Sequence, residues 1–298
     1  MTLFEWMMLI ILAIVWGGSF YFIGLSAKEL PSFTIVFLRV GLASLILWPG
    51  LMLVGQKMPR DKEIWKMFFS IGLINNVIPF SLIVWGQHHI TSSLASILNA
   101  TTPFFTIALA HFLTEEERIS KNRLLGIVTG FLGVSIIVGM DFIEGAGVNT
   151  WAQLAVLGAS LAYGCALVYG RRFNSMGVKP VIVATGQLTA STFVLFPIVL
   201  LVDSPWTLPL PSSTTWAAIF GLGVLSTAFA FTLYYRILAT AGAVNMSLVT
   251  FLVPISAIFL GVLFLNETLE FKHILGMAVI WLGLAIMDGR FFKRPIHP

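Results

Sequence analysis

Arg39 is the one Lys or Arg that falls well inside an apolar stretch of this chain. It lies about seven residues into that stretch, roughly 10 Å deep at the 1.5 Å rise of an α-helix. A cation at such a depth costs ~2.5–3.5 kcal/mol on insertion scales, so it needs a partner or a water-filled cavity. One reading makes Arg39 the counter-charge for a carboxylate, which a planar guanidinium grips through two parallel N–H bonds. The other has it snorkel to the interface or fasten helices through their carbonyls.

Two prolines suggest a second kind of polar site. Pro103 and Pro254 each sit mid-stretch, and each frees the carbonyl four residues back, at Asn99 and Thr250. If the two kinked helices face each other, those carbonyls form a midplane site; otherwise neighbouring helices satisfy them. Asn76 and Thr227 stand 151 positions apart, as the prolines do. They either line a cavity or bridge helices, and a bridge contributes only about 0.6 kcal/mol. Asn75, next to Asn76, must point elsewhere. Trp16 and Tyr163 are expected at mid-membrane rather than at an interface. They stack on a substrate there, or face lipid or pack in the core.

Other groups read as ordinary. Trp85, Gln87, His88 and His89 end the third stretch; Trp85 fits an aromatic belt. The two histidines read as solvated, with external pH sensing as their alternative. Glu115, Glu116, Glu117, Arg118 and Glu267 read as solvated turns. Gly126, Gly130 and Gly133 make a small face for close helix packing. HExxH, GxSxG and Walker A sequences are absent, and no His, Cys, Asp or Glu set has metal spacing. The expectation is no catalytic residue, no metal and no cofactor. An intramembrane enzyme would need a nucleophile–base pair or a metal set inside the stretches.

These residues are positioned by an unusual chain. Of its 298 residues, 58% are hydrophobic and only 10% charged, against about 25% charged in soluble domains. Mean hydropathy is +0.95. That much apolar surface cannot be hidden in water, so a soluble enzyme, a disordered chain and a nucleic-acid-binding domain are excluded. The solvent is the lipid bilayer. Apolar windows fall near 4–25, 32–54, 64–86, 91–113, 122–140, 151–170, 180–202, 214–236, 243–265 and 272–289. Their continuous apolar character means helices, because lipid leaves an open strand edge unpaired. The first window lacks the basic lead of a secretory signal and is expected to remain as a span. A single cysteine, Cys165, allows no internal disulfide.

Charge gives the orientation. Fourteen of the seventeen Lys and Arg fall at one end of the spans, including Lys57, Arg60, Lys62, Lys66, Lys121, Arg171, Arg172, Lys179 and Arg236. Lys28 and Lys272 fall at the other end. Positive charge stays inside, so both termini are expected in the cytoplasm, with Glu144 and Ser204 outside. The halves also echo each other: Val15-Trp16-Gly17 with Ala162-Tyr163-Gly164, Pro103 with Pro254, Glu117 and Gly126 with Glu267 and Gly276, Gly133 with Gly283. Five spans per half force the second copy to insert upside down, a transporter signature that puts the binding site between the repeats.

On these residues the chain resembles the EamA-type permeases of the drug/metabolite transporter superfamily. Trp16-Gly-Gly-Ser-Phe, Pro31 with Arg39, Leu94 with Pro103, and Glu117 with Gly126 carry the resemblance. Ala243, Pro254, Asn266-Glu-Thr-Leu and Gly276 repeat it. The resemblance implies an all-α polytopic membrane protein, with ten transmembrane helices in two inverted five-helix repeats around a central cavity. Residues 1–145 form the first repeat and 146–298 the second. It further implies a bacterial inner-membrane exporter of small polar metabolites such as amino acids, working by alternating access. A flippase of a lipid or lipid-linked intermediate is the alternative. The multidrug antiporters of the same superfamily carry a Glu deep in their first span; here Glu5 lies at the edge, which argues against that exchange mechanism. The expected partners are a small-molecule metabolite and the bilayer, with no nucleic acid, in a monomer or homodimer. Trp16, Arg39, Asn76, Asn99, Tyr163, Thr227 and Thr250 are the candidate lining, and Pro103 and Pro254 the kinks.

Overall fold

A computed structural model describes residues 2–113, 119–143, 147–246 and 249–288. Glu115, Glu116, Glu117, Arg118, Glu144, Arg290, Lys293 and Arg294 lie outside the described residues. The described residues hold helices and no strand. Among the described residues nine helices are long and apolar enough to cross a membrane, and a tenth is slightly shorter. They are α1 (Leu3–Ser26), α2 (Ser32–Leu53), α3 (Lys62–Gln87), α4 (Ser92–Leu113) and α5 (Lys121–Ile143). The second half supplies α6 (Val148–Ser175), α7 (Pro180–Asp203), α8 (213–246), α9 (Val249–Leu265) and α10 (Phe271–Asp288). The described residues form an all-α fold of ten apolar helices, nine of them of full spanning length.

Local sequence starts several of them. Thr2 and Glu5 form a capping box on α1, and Asp61, Thr91 and Ser212 cap α3, α4 and α8. Pro180 opens α7 at a position where its missing N–H costs nothing. One boundary differs from expectation. Helix α8 continues to Met246, so Arg236 lies within it rather than in a loop after it. Its last stretch, Ile237-Leu-Ala-Thr-Ala-Gly-Ala-Val, has no proline and is rich in the best helix former, so nothing stops it. Arg236 lies over the Phe4 ring, 5.2 Å from its centroid, at the N-terminal end of the bundle.

The bundle closes on glycines. A Cβ added at Gly126 of α5 would lie 2.6 Å from the Gly283 carbonyl oxygen of α10, and one at Gly133 would lie 2.7 Å from that of Gly276. Rising numbers in α5 meet falling numbers in α10, so the two run antiparallel. Helices α2 and α7 are antiparallel too: Thr34 meets Asp203, and Ser44 Oγ lies 2.9 Å from Thr189 Oγ1. Gly17 of α1 packs on Val253, Ser256 and Ala257 of α9; Gly164 of α6 packs on Phe105 and Thr106 of α4. Each repeated glycine therefore seats the helix that carries the proline of the other half.

Candidate functional site

Helices α3 and α8 each break regular α geometry at the same relative place. Leu73–Val77 in α3 and Gly221–Phe229 in α8 are π-helical. A π-turn widens the helix and re-aims its side chains, and such turns gather at functional sites. Asn76 sits in the first and Thr227 in the second, and both are buried.

Arg39 reaches across from α2 to the π-turn of α8. Its Nε donates to Thr227 Oγ1 at 2.9 Å, and that hydroxyl donates to the Leu222 carbonyl at 2.8 Å. The guanidinium carbon lies over the Phe80 ring of α3, 3.8 Å from its centroid. Tyr163 of α6 stands edge-on to the same ring, centroids 6.3 Å apart. Arg39 is only 6% exposed, so it does not snorkel. Among the described residues no carboxylate pairs with it, and Nε is its only hydrogen-bonding nitrogen. A hydroxyl and an aromatic face thus hold a full positive charge inside the bundle. Cation–π contact offsets part of the desolvation, by ~2 kcal/mol at a dry site. The terminal nitrogens keep their capacity to bind an anion.

The other half holds a neutral counterpart. Asn76 Nδ2 donates to Ser191 Oγ of α7 at 3.0 Å, and Ser191 donates to the Gln187 carbonyl at 2.7 Å. Asn75 Nδ2 donates to Gln187 Oε1 at 3.1 Å. Arg39 on Thr227 and Ser191 on Asn76 are the same contact made once by each half, a cation in one and a hydroxyl in the other. Asn76 Oδ1 is buried and has no partner among the described residues.

The remaining candidates fall around this pair. Trp16 is half-buried and meets Tyr234 of α8, centroids 5.9 Å apart. Thr250 is half-buried near the start of α9 and Pro254 is buried inside it. Pro103 departs from expectation. It does not kink a continuous helix: α4 breaks at Ala100 and Thr101, and Pro103 follows the break as the second residue of Thr102–Leu113. At the break the hydroxyls of Thr101 and Thr102 donate to the carbonyls of Leu98 at 2.6 Å and Asn99 at 2.8 Å, and Pro103 has no N–H to bond Asn99. The Asn99 carbonyl, which also accepts from Ser160 at 3.5 Å, is therefore satisfied by protein. The Asn99 side-chain oxygen is buried and unpartnered among the described residues.

Glu267 also departs from expectation. It is no solvated turn: its carboxylate accepts from the N–H and hydroxyl of both Ser92 and Ser93, at 2.5–2.9 Å. Asn266, at φ 55, turns the chain in the left-handed region that Asn tolerates and aims Glu267 inward. Sequence reading also missed Phe80, Gln187, Ser191 and Tyr234. Gln187 and Ser191 were detectable as polar residues in an apolar stretch; Phe80 gave no signal.

Thr227 supports a direct test. Thr227→Val keeps its shape but removes the acceptor for Arg39. Loss of a hydrogen bond to a charged group should cost about 1.5–3 kcal/mol. Thermal unfolding in detergent should show a lower midpoint for Thr227→Val and a near-normal one for Thr227→Ser. Equal midpoints for Val and wild type would contradict the contact.

Comparison with known proteins agrees with this architecture. The profile of the EamA-like transporter family matches twice, over residues 3–139 and 150–287. The uncharacterized transporter YoaV of Bacillus subtilis (strain 168) is 25% identical, over 97% of this chain and 98% of its own. Protein PecM of Dickeya dadantii (strain 3937) is 24% identical, over 94% and 91%. The uncharacterized inner membrane transporter YedA of Escherichia coli (strain K12) is 23% identical, over 96% and 91%. A crystal structure with 17% sequence identity superposes with a TM-score of 0.68 over 98% of this chain and 99% of that one, so the fold is shared. Two matched halves, ten apolar helices and full-length relatives agree: the chain belongs to the EamA-like transporter family, within the drug/metabolite transporter superfamily.

Proposed function

We propose that this transporter exports small polar metabolites bearing a carboxylate, amino acids foremost, by alternating access between two inverted repeats. The observation that carries the reading is the buried, carboxylate-free guanidinium of Arg39 on Phe80 and Thr227. A buried charge with unused donors has a reason to exist if its partner arrives with the substrate. Asn76, Asn99, Thr250, Trp16 and Tyr163 complete the lining. The unpartnered oxygens of Asn76 and Asn99 suit the ammonium end of a zwitterion.

Inversion is supported by the antiparallel run of the matching helices α5 with α10 and α2 with α7. It is supported again by glycine contacts that exchange between halves. The halves are residues 1–145 and 146–298. The basic end, with both termini, faces the cytoplasm of a bacterial cell and the membrane is the inner one, in keeping with the bacterial relatives. Cysteines at 62 and 172 should label only from the inside, and one at 204 only from the outside. Labelling of the first two from outside would invert the orientation.

The substrate class is tested by binding. A ligand that prefers the native state raises its melting point, by about 2.7 kcal/mol of stability at a hundred times Kd. Purified protein should be stabilised by some amino or keto acids and not by the corresponding amines. Stabilisation by lipids alone would favour a flippase.

A further inference from the structure

Three carboxylates in this chain do the same thing at the same end of the bundle. Glu29, after α1, accepts from the N–H and hydroxyl of Ser212, the cap of α8, both at 2.7 Å. Asp203, ending α7, accepts from the N–H of Thr34 at 2.6 Å and its hydroxyl at 2.8 Å, in the first turn of α2. Glu267, after α9, holds Ser92 and Ser93 in the first turn of α4. Each places a negative charge on a helix N-terminus, where the unsatisfied N–H groups and the macrodipole favour it. The backbone bond from Ser212 holds the Glu29 carboxyl below the usual range. Helix α2 shows the dependence most clearly: its own cap residue, Pro31, supplies no side-chain bond.

Every one of these bonds crosses between the two matched halves. Glu29 belongs to the first half and Ser212 to the second; Asp203 and Glu267 belong to the second half, and Thr34, Ser92 and Ser93 to the first. They also lie where water can replace them: Glu29 is exposed, and Asp203 and Glu267 are half-buried. A bond that re-forms with water on breaking costs little to open. The glycine seam of α5 and α10, where an added Cβ would lie 2.6–2.8 Å from the facing carbonyl oxygens, has no such substitute.

We propose that Glu29, Asp203 and Glu267 are the clasps of a gate at the end opposite the termini: they hold the halves together there and release when that end opens. The proposal rests on the alternating-access reading and identifies which contacts must break. Each clasp is charge-assisted, so removing one shifts the open-to-closed ratio, by roughly tenfold at the half-buried Asp203 and Glu267 and by less at the exposed Glu29.

The test uses the full chain in nanodiscs, with Cys165→Ala and spin labels on cysteines at His89 and Thr268. These positions are exposed and lie in opposite halves, beside the Glu267 clasp. The parent should give one dominant short distance. Glu267→Gln, Asp203→Asn and Glu29→Gln should each add a longer population, and the triple variant should make it dominant. An unchanged distance distribution in a monodisperse triple variant would overturn the gate, even with normal flux. A longer population in a protein that carries no solute would support the gate and defeat the transporter reading. A second measurement covers variants that fail to fold. Cysteines at Ser93 and Glu267, joined by a short reducible thiol bridge, should stop flux, and reduction should restore it. Full cross-linking with undiminished flux would also overturn the gate.

Discussion

Arg39→Ala should cut transport of carboxylate-bearing substrates by at least tenfold while leaving the protein folded and inserted. The loss follows from removing charged hydrogen bonds to the ligand, about 1.5–3 kcal/mol or 10- to 150-fold. Folding should survive because alanine also removes a desolvated charge, whose cost the contacts with Thr227 and Phe80 only partly offset. Arg39→Lys is the sharper variant. Lysine keeps the charge but loses the planar fork that lies over Phe80. It should therefore transport poorly as well, and amines lacking a carboxylate should be affected less than amino acids by either change. Rates should be compared in proteoliposomes with protein amounts matched by size-exclusion profile. Equal rates for Arg, Lys and Ala on a carboxylate substrate would remove Arg39 from the site.

The largest stability effect is expected at the α5–α10 seam. A Cβ at Gly276 would lie 2.8 Å from the Gly133 carbonyl oxygen and closer still to Ile137. Backbone oxygen cannot step aside as a flexible side chain can, so the helices must part. Gly276→Leu should cost at least the upper part of the usual ~1–3 kcal/mol for overpacking. Gly139→Ala is the control. It lies on α5, the other helix of the seam, and a Cβ there meets nothing within 4 Å. That change should be neutral or stabilising by about 0.5–1 kcal/mol, the helix penalty of glycine. Thermal unfolding of both variants in detergent separates the two causes. A Gly276→Leu midpoint equal to that of Gly139→Ala would contradict the seam.

Much of this fold was legible because lipid permits so few answers. A run of apolar residues bounded by Lys62 and His88 has no choice but helix, and the Lys and Arg distribution marks one end of the bundle. The repeat was legible through residues whose roles are steric: Gly17 and Gly164 seat facing helices, and Gly126 and Gly133 meet Gly283 and Gly276. The candidate site was legible only where a residue was out of place in its surroundings. Arg39, Asn76 and Thr227 are polar amid apolar neighbours, and the structure joins Arg39 to Thr227 and gives Asn76 the matching contact.

The unforeseen parts depend on partners far along the chain. Phe80 is one of 25 phenylalanines, and only folding puts its ring under Arg39. Glu267 resembled any turn acid because the serines it holds are 174–175 residues away. Neither π-turn has a side-chain code of its own. At Pro103 the proline drew attention to the place where α4 is interrupted, but the hydroxyls of Thr101 and Thr102 that satisfy the carbonyls there were not foreseen.

The central claim is that a solute with a carboxylate crosses the membrane between the two halves, paired on the way with Arg39. Counterflow tests it most directly. Proteoliposomes preloaded with an unlabelled amino acid that stabilises the purified protein should accumulate the labelled form from outside. The accumulation should fall to the level of protein-free liposomes in the Arg39→Ala variant. Uptake by wild-type protein no greater than that of protein-free liposomes, with a ligand shown to bind, would contradict the account.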